Sequence, residues 1–208
     1  MIMLLVTSCS KDSIRGSGNT LTETRSVEAF TSIQLEGSST VNVVQGAQQQ
    51  VEVSGFQNLV PIFETYAQNG TLVLKFRSDF YNIGNNNITV NISVPNLSAV
   101  AINGSGNLLV KNFQGTNFSA EINGSGDIYA ENCKYNSGYL RVNGSGYISA
   151  SALLVNEAEA RISGSGKIDI TAWNKLHATV AGSGEINYTG HPQSVTSEIS
   201  GSGKINRR

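Results

Sequence analysis

Serine stands between two glycines six times in the second half of this 208-residue chain, at Ser105, Ser125, Ser145, Ser165, Ser183 and Ser202. A serine in a glycine turn is the residue type of a hydrolase nucleophile, a glycine cluster suits a phosphate-binding loop, and glycine followed by aspartate suits a calcium-binding β-roll. Each chemistry fails on spacing. A nucleophile elbow needs Gly-x-Ser-x-Gly, whereas here each Ser has Gly directly on both sides. A dinucleotide fingerprint needs a third glycine, which no repeat supplies, and only Asp127 stands where a β-roll would place its aspartates. Other titratable groups are sparse, with two His (His177 and His191) and four Asp. Asp127, Glu131, Asp169 and Glu185 do not converge on an acid–base pair, and His177 reads as a surface residue. No catalytic, metal-binding or cofactor-binding residue is assigned, no cofactor is expected, and the chain is read as a non-enzyme.

What the glycines do announce is a repeat. Each lies in one frame: an apolar residue, a small polar one, Gly-Ser-Gly, any residue, then Ile or Leu. The pairs are Gly104 and Gly106, Gly124 and Gly126, Gly144 and Gly146, Gly164 and Gly166, Gly182 and Gly184, and Gly201 and Gly203, so the first glycine advances by 20, 20, 20, 18 and 19 residues. A period of about 20 marks a solenoid, whose coils bury their apolar faces by stacking on one another. Columns of like character should then run down the stack, and they do. One reads Ile102, Ile122, Val142, Ile162, Val180, Ile199; another Leu108, Ile128, Ile148, Ile168, Ile186, Ile205; a third Val110, Ala130, Ala150, Ile170, Tyr188. Phe113, Cys133, Leu153 and Trp173 form a further column, and Ala120, Leu140, Ala160 and Ala178 another. The apolar stretches are too short for helices and alternate as strands do. The fold class is all-β: a parallel β-solenoid of two or three strands per coil.

A corner that reverses within three residues calls for positive φ, which glycine adopts without penalty. Ahead of the corner, Asn103, Asn123 and Asn143 form a column expected to hydrogen-bond from coil to coil. The outer column Asp127, Tyr147, Lys167, Glu185, Lys204 alternates charge at its end, and Glu121 falls beside Arg141 and Lys111 beside Glu131; such pairs fix register more than they stabilise. Hydrophobic content of 39% suffices for a core, and a net charge of −1 provides no basic footprint for nucleic acid.

The start, Met1-Ile-Met-Leu-Leu-Val-Thr-Ser-Cys9-Ser-Lys-Asp12, is an apolar run ending in a small residue and a cysteine. Val6-Thr7-Ser8-Cys9 resembles a bacterial lipobox, which implies that residues 1–8 are a signal remnant and that Cys9 carries lipid; the anchor is then a lipid at the membrane, not a spanning helix. Cys133, on an inward column, reads as a buried thiol. Residues 9–24 are the lipidated cysteine and a tether, with 13–20 read as flexible. Residues 25–95 are an N-terminal β region: a degenerate first coil with Gly37-Ser38-Ser39 at its corner, a hairpin from 41–44 and 51–53, a short helix over 58–66, a turn at Asn69-Gly70 into a strand over 72–76, and a strand over 88–94 stopped by Pro95. The inserted strands are expected to cap the solenoid, which fills 96–208.

Ile33-Gln-Leu35-Glu-Gly37, Val41-Asn-Val43-Val44-Gln45-Gly46, Val51-Glu-Val53 and the repeated apolar-Asn-Gly-Ser-Gly units together resemble the GIN-domain family of auto-transporter adhesin heads, found in Bacteroidetes. The likeness covers about residues 25–206. It implies a right-handed β-helix, a cell-envelope location as an outer-membrane lipoprotein, and surface interaction with a glycan or protein ligand. Gly37-Ser38-Ser39 departs from the pattern by lacking its second glycine. Two other functions stay open: a carbohydrate-active β-helix, which binds or cleaves polysaccharide, and small-ligand or lipid binding by the 25–95 region. The chain stops inside a coil at Gly203–Arg208, and that end is expected to be covered by another copy or guarded by Arg207 and Arg208.

Overall fold

The computed structural model describes residues 12–208, and the Cys9 lipidation motif lies outside them. Where the repeat predicts stacked coils, the backbone shows them with equivalent residues directly in register. Ser32–Gly37 is hydrogen-bonded in parallel to Ala99–Gly104, which continues to Gln114–Gly124, Cys133–Gly144, Tyr147–Gly164, Lys167–Gly182 and Ser194–Gly201. Beyond the glycine corner a second ladder runs from Thr40–Gln45 through Asn107–Lys111 and Asp127–Glu131 to Lys204–Arg207. The chain is thus an all-β solenoid of about 20 residues per coil.

Inward columns fill the tube. Ile102, Ile122, Val142 and Val180 are fully buried, as are Leu108, Ile128, Ile148, Ile168 and Ile186. The alternation slips by one residue between Ala130 and Cys133 and again beyond Tyr135, so each coil turns two more corners besides the glycine one. Asn112 and Asn132 take positive φ at the first of these, which Asn tolerates better than most residues. The last coil is the exception: Ile199 is 50% exposed, since no further strand covers it among the described residues.

The 18-residue coil from Gly164 to Gly182 corrects one column. Its two missing residues come out of the side holding Leu153 and Val155, where Leu154 pairs with Thr171 and Val155 with Ala172. Ala172 takes the buried place, and Trp173, expected inside from its spacing to Leu153, is displaced outward to 48% exposure.

The N-terminal region extends the stack in an order that the sequence does not follow. Thr71–Phe76 and Thr89–Val94 form a layer beneath the first coil, parallel to Ser32–Gly37 and Thr40–Gln45. Antiparallel strands then cover that layer: Phe63–Gln68 against Thr71–Phe76, and Gln50–Phe56 against Thr89–Val94 with Thr20–Arg25 beyond. Three expectations change here. The 41–44 and 51–53 segments do not form a hairpin, because Thr89–Val94 lies between them and pairs with both. The 58–66 helix shrinks to one 3-10 turn, Val60–Ile62, around Pro61, followed by a strand, as the open edge of Thr71–Phe76 needs a partner more than a short segment gains from helix. Residues 13–20 are not a free tether: Asp12–Arg15 pairs with Phe80–Gly84, and Asn58 clamps the chain through Ser17 N and Arg15 O. The Asn69-Gly70 turn appears as read, both residues at positive φ, between strands paired directly at Gln68 and Thr71.

Candidate functional site

The corner glycines have two different jobs. The first of each pair has φ between +118° and +140°, at Gly201 and Gly104 respectively, and a Cβ there would meet the carbonyl oxygen of the previous coil's glycine, 2.3 Å away at Gly124 and Gly144. The second glycine lacks positive φ, but a Cβ on Gly126 would lie 2.5 Å from Gly106 O. That close approach carries a backbone ladder through the turn: Ser125 N donates to Gly104 O at 2.9 Å and Asp127 N to Gly106 O at 3.0 Å. The six serines therefore sit in a structural turn, each donating its backbone N–H to the coil below. Gly37 explains the first coil's departure. A Cβ there would meet nothing within 4 Å, and Ser39, which replaces the second glycine, is buried with its Oγ accepting from Asn86 Nδ2 at 3.2 Å. With a loop beneath it in place of a glycine corner, the first coil has room for a side chain.

Asn123 Nδ2 donates to Asn103 Oδ1 at 3.0 Å, and Asn143 Nδ2 to Asn123 Oδ1 at 2.7 Å. Two further ladders mark the other corners, Asn132 to Asn112 at 2.8 Å and Asn156 to Asn136 at 3.0 Å. Both pairs are 20 residues apart, so their spacing was the signal that would have revealed them.

The outer column beside the corner is brought together, but not as alternating ion pairs. Lys167, Glu185 and Lys204 are in register, yet Lys167 Nζ turns to Asp169 Oδ2 at 3.4 Å and lies 5.1 Å from the Tyr147 ring centre. Asp169 is nearly buried and well bonded, accepting from Tyr147 Oη at 2.6 Å and from Asn187 Nδ2 at 2.9 Å. Burial pushes its carboxyl up, but the Tyr147 and Asn187 hydrogen bonds and the Lys167 charge outweigh it and hold it below the usual carboxylate range. Lys111 does pair with Glu131, at 3.0 Å, whereas Arg141 bonds Asn143 Oδ1 and not Glu121. Among the described residues, no cluster of three or more His, Cys, Asp or Glu is placed to hold a metal ion.

The most developed concavity lies elsewhere, on the face that follows the third corner. It is a groove of about 610 Å³ crossing the coils from Ser98 to Thr196. Two outer columns wall it, Asn117, Ser137, Glu157, Lys175 and Ser119, Tyr139, Glu159, His177, Thr196, and the buried column Phe118, Gly138, Ala158 runs between them as its floor. Gly138 and Ala158 keep its floor low. Glu157 stands in register with Lys175, and Glu159 is ion-paired to Arg161, so charges of both signs are balanced in place. His177 is half-buried in the wall, with Nε2 3.4 Å from Thr179 Oγ1. Glu157 and Glu159 stand on the two walls, on either side of the buried Ala158, and each faces a cation: Glu157 in register with Lys175, Glu159 paired to Arg161. None of these residues stands out alone; what marks them is the recurrence of exposed polar and aromatic groups at spacing 20. Shallower depressions occur in the N-terminal region, one of about 230 Å³ beside Asn42, Glu52 and Asn91.

The family described as "Putative auto-transporter adhesin, head GIN domain" matches residues 29–137 and 132–192, together most of the chain. The chain belongs to the GIN-domain family. Its fold is shared with solved structures of low sequence identity. A putative adhesin from Bacteroides fragilis superposes with a TM-score of 0.76 at 21% identity, covering 94% of this chain and all of that one. A putative lipid binding protein from Parabacteroides distasonis gives 0.66 at 22%, covering 95% of this chain and 100% of the other. A putative adhesin from Parabacteroides merdae gives 0.58 at 19%, covering 95% and 99%. No curated protein matches. No helix among the described residues is long and apolar enough to cross a membrane.

Proposed function

We propose that this GIN-domain chain is a non-catalytic lipoprotein of the bacterial outer membrane, anchored through lipid on Cys9, that works as an adhesin by laying the groove face of its solenoid along a ligand. The observation that carries this reading is the groove: an open concavity of about 610 Å³ crossing successive coils, lined by side chains repeated in register. The family description and the adhesin names of two structural neighbours support the same role. Extended contact spread over several coils gives affinity without a catalytic centre.

The test fills the groove. The double variant Ser119→Arg, Ser137→Arg places bulk on both walls, one on each side of the floor, while leaving every glycine corner intact; binding of the full chain to glycan and matrix-protein arrays should be lost. Lys204→Ala, on the corner face, should bind as the parent does. Equal binding by the filled variant would remove the groove from the mechanism. Labelled palmitate incorporated by the parent and absent from Cys9→Ala tests the anchor. A further partner is a second copy: Ser194–Gly201 is exposed along its whole length, and edge pairing there would cover Val195 and Ile199. A mass by light scattering that stays monomeric at high concentration would count against it.

A further inference from the structure

Resting on the groove reading above, we infer that the ligand is an uncharged, extended polysaccharide lying along the solenoid axis, and that Trp173 backed by His191 is an aromatic platform for it at the groove rim.

Direction comes first. The groove crosses strands at right angles, so what it offers is side chains at the coil repeat, about 4.8 Å apart. A peptide recognised by strand addition needs a sheet edge with its row of backbone groups, and the groove floor has none free because the strands there are already paired on both sides. An extended chain of β-1,4-linked pyranoses advances by close to one coil repeat per sugar, so successive sugars meet equivalent columns. Chemistry comes second. Asn117, Ser119, Ser137, Tyr139 and Thr196 offer amide and hydroxyl groups that suit sugar hydroxyls, while the balanced charges give a polyanion or polycation no net attraction.

The third observation is the only tryptophan of the chain. The two residues lost from the Gly164–Gly182 coil expel it to the surface, where it is 48% exposed and stacks on His191 with ring centres 6.4 Å apart and planes 26° apart. Leu154, also exposed, is in register on the neighbouring coil with Thr171, two residues before Trp173. Trp173 stands two residues before Lys175 of the groove wall, at the corner that leads onto the groove face. A flat indole held from behind and open in front is a surface on which the C–H face of a pyranose can pack.

The experiment titrates the full chain with neutral β-1,4-linked glucose and mannose oligomers, from disaccharide to hexasaccharide, reading tryptophan emission and, for variants, calorimetry. Polygalacturonate and fibronectin serve as the polyanion and protein arms. Affinity should rise with oligomer length until the groove is spanned, then level off, with a change in Trp173 emission. Trp173→Ala should weaken binding about three- to tenfold at unchanged melting temperature, and Trp173→Phe should recover part of it. Length-independent affinity, preference for polygalacturonate, or a silent Trp173→Ala would overturn the inference. Binding to fibronectin alone, abolished by Ser119→Arg with Ser137→Arg, would overturn the glycan while leaving the groove standing; binding to none of these ligands would overturn both.

Discussion

Alanine scanning of three corner glycines separates backbone conformation from coil stacking. Gly37 has φ +103° and open space around its would-be Cβ, so Gly37→Ala carries conformational strain alone, about 1–3 kcal/mol. Gly126 has no positive φ, but its Cβ would lie 2.5 Å from Gly106 O and 2.9 Å from Ile102 Cγ2, below the 3.0 Å that Cβ atoms keep. Gly126→Ala therefore measures stacking, roughly 2–4 kcal/mol from overpacking and a loosened bond. Gly124 combines both: φ +138°, a Cβ 2.3 Å from Gly104 O, and that same oxygen accepting from Ser125 N at 2.9 Å and Gly126 N at 3.1 Å. Pushing the coils apart strains the residue and weakens two ladder bonds, so Gly124→Ala should destabilise by roughly 3–6 kcal/mol. At about 2–4 °C per kcal/mol for a chain of this size, its melting temperature should fall by about 10–20 °C, and that of Gly37→Ala by at most half as much. Circular dichroism melts give the order, and hydrogen exchange should show the loss of protection centred on residues 99–131. If Gly37→Ala proves as damaging as Gly124→Ala, the argument that the preceding coil crowds the first glycine of each corner is wrong.

Asn123→Ala removes one donor and one acceptor from the exposed Asn103–Asn123–Asn143 ladder and should destabilise by about 1–2 kcal/mol in a urea melt, since each bond contributes about 0.5–1.5 kcal/mol net. Tyr135 is buried with its Oη donating to Leu97 O at 2.7 Å, so Tyr135→Phe leaves that carbonyl unpaired and should cost about 1–3 kcal/mol. Burial, and secondarily Cys133, pushes the Tyr135 hydroxyl far above its ordinary value; the unfolded chain ionises first, so stability should drop as pH rises past about 10, less steeply in Tyr135→Phe. Burial likewise pushes the Cys133 thiol up, and it should resist a thiol reagent in the folded protein yet react at once in denaturant. Asp169 has the opposite sign: its folded value is depressed, so its contribution is present above about pH 4 and lost as pH falls through the lower folded value. Denaturation midpoints between about pH 5 and 2 should fall less for Asp169→Asn than for the parent.

How much of this was legible in the chain follows from what a repeat can encode. The columns Ile102 to Val180 and Leu108 to Ile186 are buried as their spacing requires, because each coil has the same neighbours as the next. Legibility failed wherever that sameness ends. Trp173 was misplaced because a count of 20 was carried across a coil of 18, and only the structure shows which side of the coil lost the residues. In the N-terminal region, Thr40–Gln45 finds its partners nearly fifty residues later at Thr89–Val94 and beyond at Asn107–Lys111, a return that local hairpin signals cannot report. The groove escaped for a different reason. Glu157, Tyr139 and His177 carry no motif, and their meeting depends on the stacking of the face after the third corner, where the small Gly138 and Ala158 stand between Phe118 and Leu176 in the buried column.

The same geometry bears on why a search for catalytic spacing finds so little. In a stacked coil, residues equivalent by repeat line up along the axis at one strand spacing, and residues within a coil diverge around a closed section, so the fold multiplies a side chain more readily than it gathers different ones around a point. Asp127 and Glu185 share a column yet stand three coils apart, and Glu131 lies further round the section; Asp169 gathers partners because Tyr147 and Asn187 come from the coils on either side and Lys167 from its own strand, and there they stabilise a carboxylate in place and leave it little freedom to exchange a proton. A ligand that exploits such a surface must itself be periodic and long. That is a demand on the ligand's shape before its identity, and it makes dependence on oligomer length the sharpest reading of the groove.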